Sequence, residues 1–249
     1  MIHPTAIIDP DAYLHPTVTV GPYSVIGPGV VVGEGTIIEP HVVIKGPAHI
    51  GARNHIFQFS SIGEATPDLK YKGERTTVTI GNDNVIREHV TIHRGTVQDR
   101  GDTYVGNNNL IMCYVHIGHD SIVKNHTILV NNTALAGHVV VDDWVILSGY
   151  TLVHQFCKIG AHSFSGMGTA IGKDVPAYVT VSGSPAEART INTEGLRRRG
   201  FSDASLSELR RAFKLIYRQG LTLEIAMERL EEMATDTPEI TPLLESLKT

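Results

Sequence analysis

The stretches IGHDSI, LAGHVV, VHQFCK and IGKDVP begin eighteen residues apart, at Ile117, Leu135, Val153 and Ile171. Aligned on that interval, His119, Gly137, Gln155 and Lys173 fall in one row, with Asp120 and His138 flanking it. The hexad before His119 ends in His116, counting back through one irregular stretch brings His93 to the foot of the row, and His154 joins the same edge. A lone histidine on a surface needs no explanation, but five on one edge point to chemistry. Neutral imidazole titrates near physiological pH and can take a proton from a hydroxyl as a general base. His119 is the candidate base and Asp120 the group that orients it and stabilises its charge. The backbone N–H of Gly137, with no side chain in the way, is the candidate oxyanion donor. Three histidines can also bind zinc. The base reading is preferred because it gives Asp120 and Gly137 roles, so neither a metal nor an organic cofactor is expected.

Such a row exists only if equivalent residues stay in register, and the surrounding hexads provide that register. Ile, Val or Leu takes every sixth position from Ile2 through Leu14, Val20, Ile26 and Val32 to Ile62, again at Ile80, Ile86 and Ile92, and from Val105 to Ile171 with Ser165 the one lapse. Four residues after these come small or slim side chains such as Ala6, Ser24, Thr36, Ser60, Thr96, Ser121, Thr133, Thr151 and Ser163. A period of six matches neither a helix nor a plain strand alternation. It matches a coil of three short strands with the aliphatic residue pointing inward and the small one at a crowded corner. Coils stacked about 4.8 Å apart pair as parallel strands, each covering the edge of the next. The expected fold of residues 1–183 is therefore an all-β parallel β-helix. Two stretches break the period, DLKYKGERTTVT after Pro67 and QDRGDTY after Val97. The first keeps the register in multiples of six and the second shifts it by one, so both should project as loops, where binding residues collect on a rigid scaffold.

Residues 184–249 read as a small α-helical domain. From Gly183, GSPAEARTINTEGLRRRGF is expected to be a connector. Leu206, Leu209, Phe213 and Ile216 then recur at helical spacing, with Ser205 and Glu208 as a capping box and Gly220 as the stop. LTLEIAMERLEEMA and EITPLLESLK read as further short helices. Between Gly183 and Gly220, Lys and Arg outnumber Asp and Glu by eight to four, a basic patch on a chain whose net charge is −5. That overall charge argues against nucleic-acid binding. MIHPTAIIDP lacks the charged start and apolar run of a signal peptide, and no apolar run reaches the roughly 18 residues of a membrane span. A cytoplasmic protein without stable membrane insertion is expected. Cys113 and Cys157 sit inside the repeat without paired spacing and read as reduced packing residues.

Seven segments, GEATPDLKYKGE, IREHVTIHRGTVQ, NLIMCYVHIGHD, NNTALAGHVVVDDW, VHQFCKIGAH, KDVPAYVTVSG and INTEGLRRRGF, closely resemble the bacterial O-acyltransferases that move an acyl group from acyl carrier protein to UDP-N-acetylglucosamine and open lipid A synthesis. The resemblance covers nearly the whole chain and implies a left-handed coil and a homotrimer with sites between chains. It assigns general base, support and oxyanion contact to His119, Asp120 and Gly137. It further implies substrate contacts from Asp68, Lys70, His93, His116, His138 and His154, with Gln155 near the diphosphate or pantetheine, and a nucleotide-binding stretch at Asn192, Glu194, Arg198 and Arg199. Pro67 departs from the glutamine many members carry. The basic patch suits the acidic surface of acyl carrier protein. Met167 resembles the floor of the acyl groove. It lies just under three coils beyond His119, about 13 to 14 Å at the coil spacing. A hydrocarbon advancing roughly 1.25 Å per carbon would stop there after about ten carbons.

Overall fold

The computed structural model describes residues 1–248. Three sheets of nine, eight and ten strands, parallel but for the last strand of the ten-stranded sheet, run the length of a prism, and each coil places one short strand in each sheet. The coil is left-handed, as the resemblance implies. In the nine-stranded sheet, Ile92 pairs with Ile117, Ile117 with Leu135, and Leu135 with Val153. Those aliphatic side chains fill the prism, with Ile92, Ile117 and Leu135 fully buried. Ser165, the lapse in the pattern, is also fully buried. Its hydroxyl there meets Thr151 Oγ1 at 2.7 Å.

The small residues are mostly hydroxyl-bearing for a reason the period does not state. At several corners the hydroxyl turns inside to satisfy a carbonyl of the next coil: Ser24 Oγ donates to Glu39 O at 2.8 Å and Ser121 Oγ to Ala136 O at 3.0 Å. An apolar side chain of that size would leave the carbonyl short of a donor. Next to most of the buried corner residues stands one with left-handed backbone, among them Tyr114, Asp120, His126, His138, Trp144 and Phe156, with φ between 57° and 66°. This conformation costs a non-glycine residue roughly 1–2 kcal/mol. Stacking down each corner offsets part of the cost: Tyr23, His41, Phe59, His89 and Tyr114 form a continuous column with centroids 4.6–5.4 Å apart.

Both excursions leave the prism at the corner between the nine- and eight-stranded sheets, the corner that carries Asp120 and His138. Across the first, Ile62 still pairs with Ile92, and across the second Ile80 pairs with Val105. Arg94 ties the two loops together, donating to Gly46 O and to the Tyr71 hydroxyl at 2.9 Å each.

The expected connector after Gly183 is structured. A strand, Glu187–Ile191, runs antiparallel to the last parallel strand, Val179–Ser182, and covers its free edge. Helix α1, Thr193–Arg198, follows at once, then α2, Asp203–Tyr217, α3, Leu223–Asp236, a short 3-10 turn, and α4, Thr241–Glu245. Capping of α2 also differs from expectation. Ser202 is the N-cap, accepting from Ser205 N–H, while Ser205 lies inside the helix and donates to Glu239 at 2.7 Å. Leu206, Leu209 and Phe213 are buried as their spacing predicts. No described helix is long and apolar enough to cross a membrane.

Candidate active site

His119 stands on the turn after the strand His116–Ile117. Its Nδ1 lies 2.8 Å from Asp120 Oδ2. The Asp120 side chain is fully buried and receives two more donors, Thr96 N–H to Oδ1 at 2.8 Å and Thr96 Oγ1–H to Oδ2 at 2.7 Å. Its own N–H donates to Thr103 Oγ1 at 2.8 Å. A carboxylate held by three donors cannot turn away from His119, so Nδ1 carries the hydrogen and Nε2 is left as the free acceptor.

Gly137 lies one coil above, and the side chain it lacks makes room for His119. A Cβ built there would meet His119 Nε2 and Cε1 at 2.6 Å. The Cε1–Nε2 edge of the imidazole lies against this glycine, so any side chain at position 137 would displace the His119 ring. The strand bonds on either side are intact, with Ala136 N–H to Val153 O and His138 N–H to His119 O.

Four of the five predicted histidines come together. His119 and His138 meet edge to face at 5.0 Å, and His93 and His116 do so at 4.9 Å. Burial pushes His116 down to about 4, helped by His93 and His119 nearby. Burial likewise lowers His93, with Glu64 opposing it. Both rings are therefore neutral near pH 7 and act as hydrogen-bonding groups. His116 uses Nδ1 on Thr91 Oγ1 at 2.8 Å, whereas His93 Nδ1 is buried without a partner. His154 stays apart: it is exposed and turns Nδ1 to the Gln155 carbonyl at 3.1 Å. Gln155 is exposed beside it.

The remaining predicted residues lie elsewhere on the chain. Asp68 and Lys70 sit on the first loop, where Lys70 N–H donates to Asp68 Oδ1 at 2.9 Å. Asn192 caps α1 through Gly195 N–H and donates to His162 O at 2.9 Å. Arg199 donates to the Trp144 carbonyl at 2.8 Å and lies over the Trp144 ring. Glu194 pairs with Arg197 at 3.2 Å, and Arg198 is exposed. This group occupies the corner between the eight- and ten-stranded sheets, so within one chain the eight-stranded sheet separates it from His119. Met167 is 81% exposed.

Three residues that sequence reasoning did not assign to the site are central to its geometry: Thr96, Thr103 and Asp99, whose Oδ2 lies 2.7 Å from His138 Nδ1. Thr96 was visible only as a small corner residue. Asp99 and Thr103 lie in the stretch where the period fails.

Residues 1–34 match the family described as bacterial transferase hexapeptide, six repeats, and residues 174–249 match UDP N-acetylglucosamine O-acyltransferase, domain 2. Among relatives, a protein of Stutzerimonas stutzeri (strain A1501) named acyl-(acyl-carrier-protein)–UDP-N-acetylglucosamine O-acyltransferase is 66% identical over 248 residues, covering 100% of this chain and 96% of its own. One of Pseudomonas syringae pv. tomato with the same name is 67% identical over 249 residues, again covering 100% and 96%. The crystal structure of UDP-N-acetylglucosamine O-acyltransferase from Moraxella catarrhalis aligns with a TM-score of 0.98 at 45% identity, covering 99% of this chain and 96% of that one. The UDP-N-acetylglucosamine acyltransferase of Francisella novicida aligns at 0.96 and 44%, covering 98% and 90%. With the histidine row, the prism and both loops in place, these likenesses span the chain end to end, and it belongs to the UDP-N-acetylglucosamine O-acyltransferase family of hexapeptide acyltransferases.

Proposed function

We propose that the chain transfers a 3-hydroxyacyl group from acyl carrier protein to the 3-hydroxyl of UDP-N-acetylglucosamine, the first step of lipid A synthesis. The observation that carries the mechanism is the His119 imidazole, held at Nδ1 by Asp120 at 2.8 Å and laid against Gly137. Nε2 takes the proton of the sugar hydroxyl as its oxygen attacks the thioester carbonyl. The Gly137 N–H, which has no hydrogen-bond partner among the described residues, stabilises the oxyanion. Collapse breaks the C–S bond and expels the thiolate, which takes the proton from His119 and leaves as the thiol. The thioester is already activated, so this route requires no cofactor. Incubating the protein with UDP-N-acetylglucosamine and 3-hydroxyacyl carrier proteins of graded length tests the reading; absence of an O-acylated product rejects it.

A metal reading has one observation behind it: ligand atoms of His119, Asp120 and His138 lie within 4.8 Å of one another. Asp120 Oδ2 already accepts from Thr96 and from His119 Nδ1, and His119 Nε2 faces Gly137. An ion there would compete for an oxygen that is fully supplied with donors, which favours the base. Zinc content of the purified protein separates the two.

The acidic carrier suits a basic cavity of about 250 Å³ lined by Arg189, Arg210, Lys214 and Arg218 around Phe213. Arg211, the next residue along the helix, is paired with Glu208 at 3.1 Å.

A homotrimer would bring Asp68, Lys70 and the nucleotide stretch of one chain to the histidines of the next. Mixed trimers of His119→Ala and Asp68→Ala chains are then expected to regain activity that neither homotrimer has, because some interfaces combine two intact halves. No recovery would place the whole site within one chain.

Exposed Met167 would close the acyl groove between chains, giving an optimum of about ten carbons by the coil spacing. Met167→Gly is expected to move the optimum toward about fourteen carbons, the added length filling the space the side chain vacates. Donors of ten, twelve and fourteen carbons competing in one assay check this, and an unchanged optimum counts against Met167.

A further inference from the structure

We propose that Asp99 is a positioning residue for the transfer reaction, acting through His138 by fixing the ring orientation and tautomer that turn Nε2 toward the His119–Asp120 pair; this rests on the function proposed above. Three groups hold the His138 ring. Phe156 stacks on it with centroids 4.5 Å apart and planes at 13°, His119 meets it edge to face, and Asp99 Oδ2 lies 2.7 Å from Nδ1. The stack and the edge contact set the ring plane but tolerate a half-turn about Cβ–Cγ that swaps each nitrogen with a ring carbon, Nδ1 with Cδ2 and Nε2 with Cε1. Only the Asp99 contact distinguishes the two orientations. With the carboxylate at Nδ1, that nitrogen carries hydrogen, and the neutral ring presents Nε2, 4.0 Å from Asp120 Oδ2, as an acceptor for a substrate hydroxyl.

Asp99 is placed by a short segment that also grips Asp120. Asp99 N–H donates to Thr96 O at 3.3 Å and Gly101 N–H donates to the same carbonyl at 3.0 Å, closing a turn. Gly101 takes a left-handed φ of 70°, and a Cβ on Gly95 would come within 2.2 Å of Asp102 N, so the tight return needs glycine on entry. From this turn Thr96 reaches Asp120 with two hydrogen bonds, while Asp99 reaches His138 one coil higher. The second excursion is therefore more than a projecting loop: it buttresses two adjacent residues of the row at once. The Asp99 side chain is 39% exposed, so solvent screens its charge and its effect is chiefly directional.

Steady-state kinetics with the sugar nucleotide varied, in the full-length protein, test the role. Asp99→Ala is expected to raise KM for UDP-N-acetylglucosamine about tenfold, the scale of one charge-assisted hydrogen bond, with a smaller fall in kcat. Asp99→Asn, which keeps an acceptor for the Nδ1 hydrogen, should recover most of the loss. In a His138→Ala background the same Asp99→Ala change should cost less than about twofold, because the group it acts through is gone. Equal losses in the two backgrounds, or an unchanged KM in the single variant, would show a loop tether or no role and overturn the assignment. Absence of transfer by the unaltered protein overturns the proposed function, and this role with it.

Discussion

Replacement of His119 by alanine is expected to cut turnover about a hundredfold or more, the usual contribution of a positioned general base, while the prism stays folded. The geometry supports both halves of that expectation. His119 retains 18% exposure of its side chain, and the aliphatic stack beneath it, Ile92, Ile117 and Leu135, is untouched. Asp120 keeps both Thr96 donors when the imidazole goes, so no buried carboxylate is left bare. The measurement pairs kcat with the thermal midpoint of the same preparation. A variant that turns over within threefold of the parent, at unchanged midpoint, would remove His119 from the base role.

Asp120→Asn is expected to lose roughly a thousandfold, more than its small change of shape suggests. Its two oxygens accept three hydrogen bonds, from Thr96 N–H, Thr96 Oγ1–H and His119 Nδ1–H. An amide offers one oxygen and one NH2. If the NH2 faces His119, Nδ1 must become the acceptor, the hydrogen moves to Nε2, and the base loses the lone pair that takes the sugar proton. If it faces Thr96 N–H, two donors oppose each other in a buried site, at a cost of about 1–3 kcal/mol in stability. Loss of the correct tautomer in a comparable His–Asp pair costs about ten-thousandfold; partial rescue by the second orientation lowers that here. Turnover within about tenfold of the parent would mean that Asp120 serves the fold more than the base. Thermal melting of the variant reports which amide orientation is adopted, since only the second leaves the fixed Thr96 N–H facing a donor, whereas the Thr96 hydroxyl can rotate to accept from the NH2 in the first.

A six-residue period was enough to determine the prism, its three sheets and the row. In a coil of constant length, sequence separation and vertical neighbourhood are the same quantity, so the eighteen-residue interval from Ile117 to Leu135 placed Gly137 over His119 without coordinates. The same count carried His93 to the foot of the row, because the extra residue in the second excursion could be read as a shift of one. Tertiary structure decided everything that departs from the period. The strand Glu187–Ile191 forms because the last coil has an edge to cover, a need that residues 187–191 do not announce. The α2 cap moved to Ser202 because Ser205 found Glu239, a contact 34 residues away that no local capping rule contains. The supports of the row, Thr96 on Asp120 and Asp99 on His138, likewise join residues 24 and 39 apart across an irregular turn. A repeating backbone propagates its geometry along the chain, so its side-chain neighbours can be counted. An irregular turn takes its geometry from the groups it finally touches, and those exist only once the coils above it are stacked.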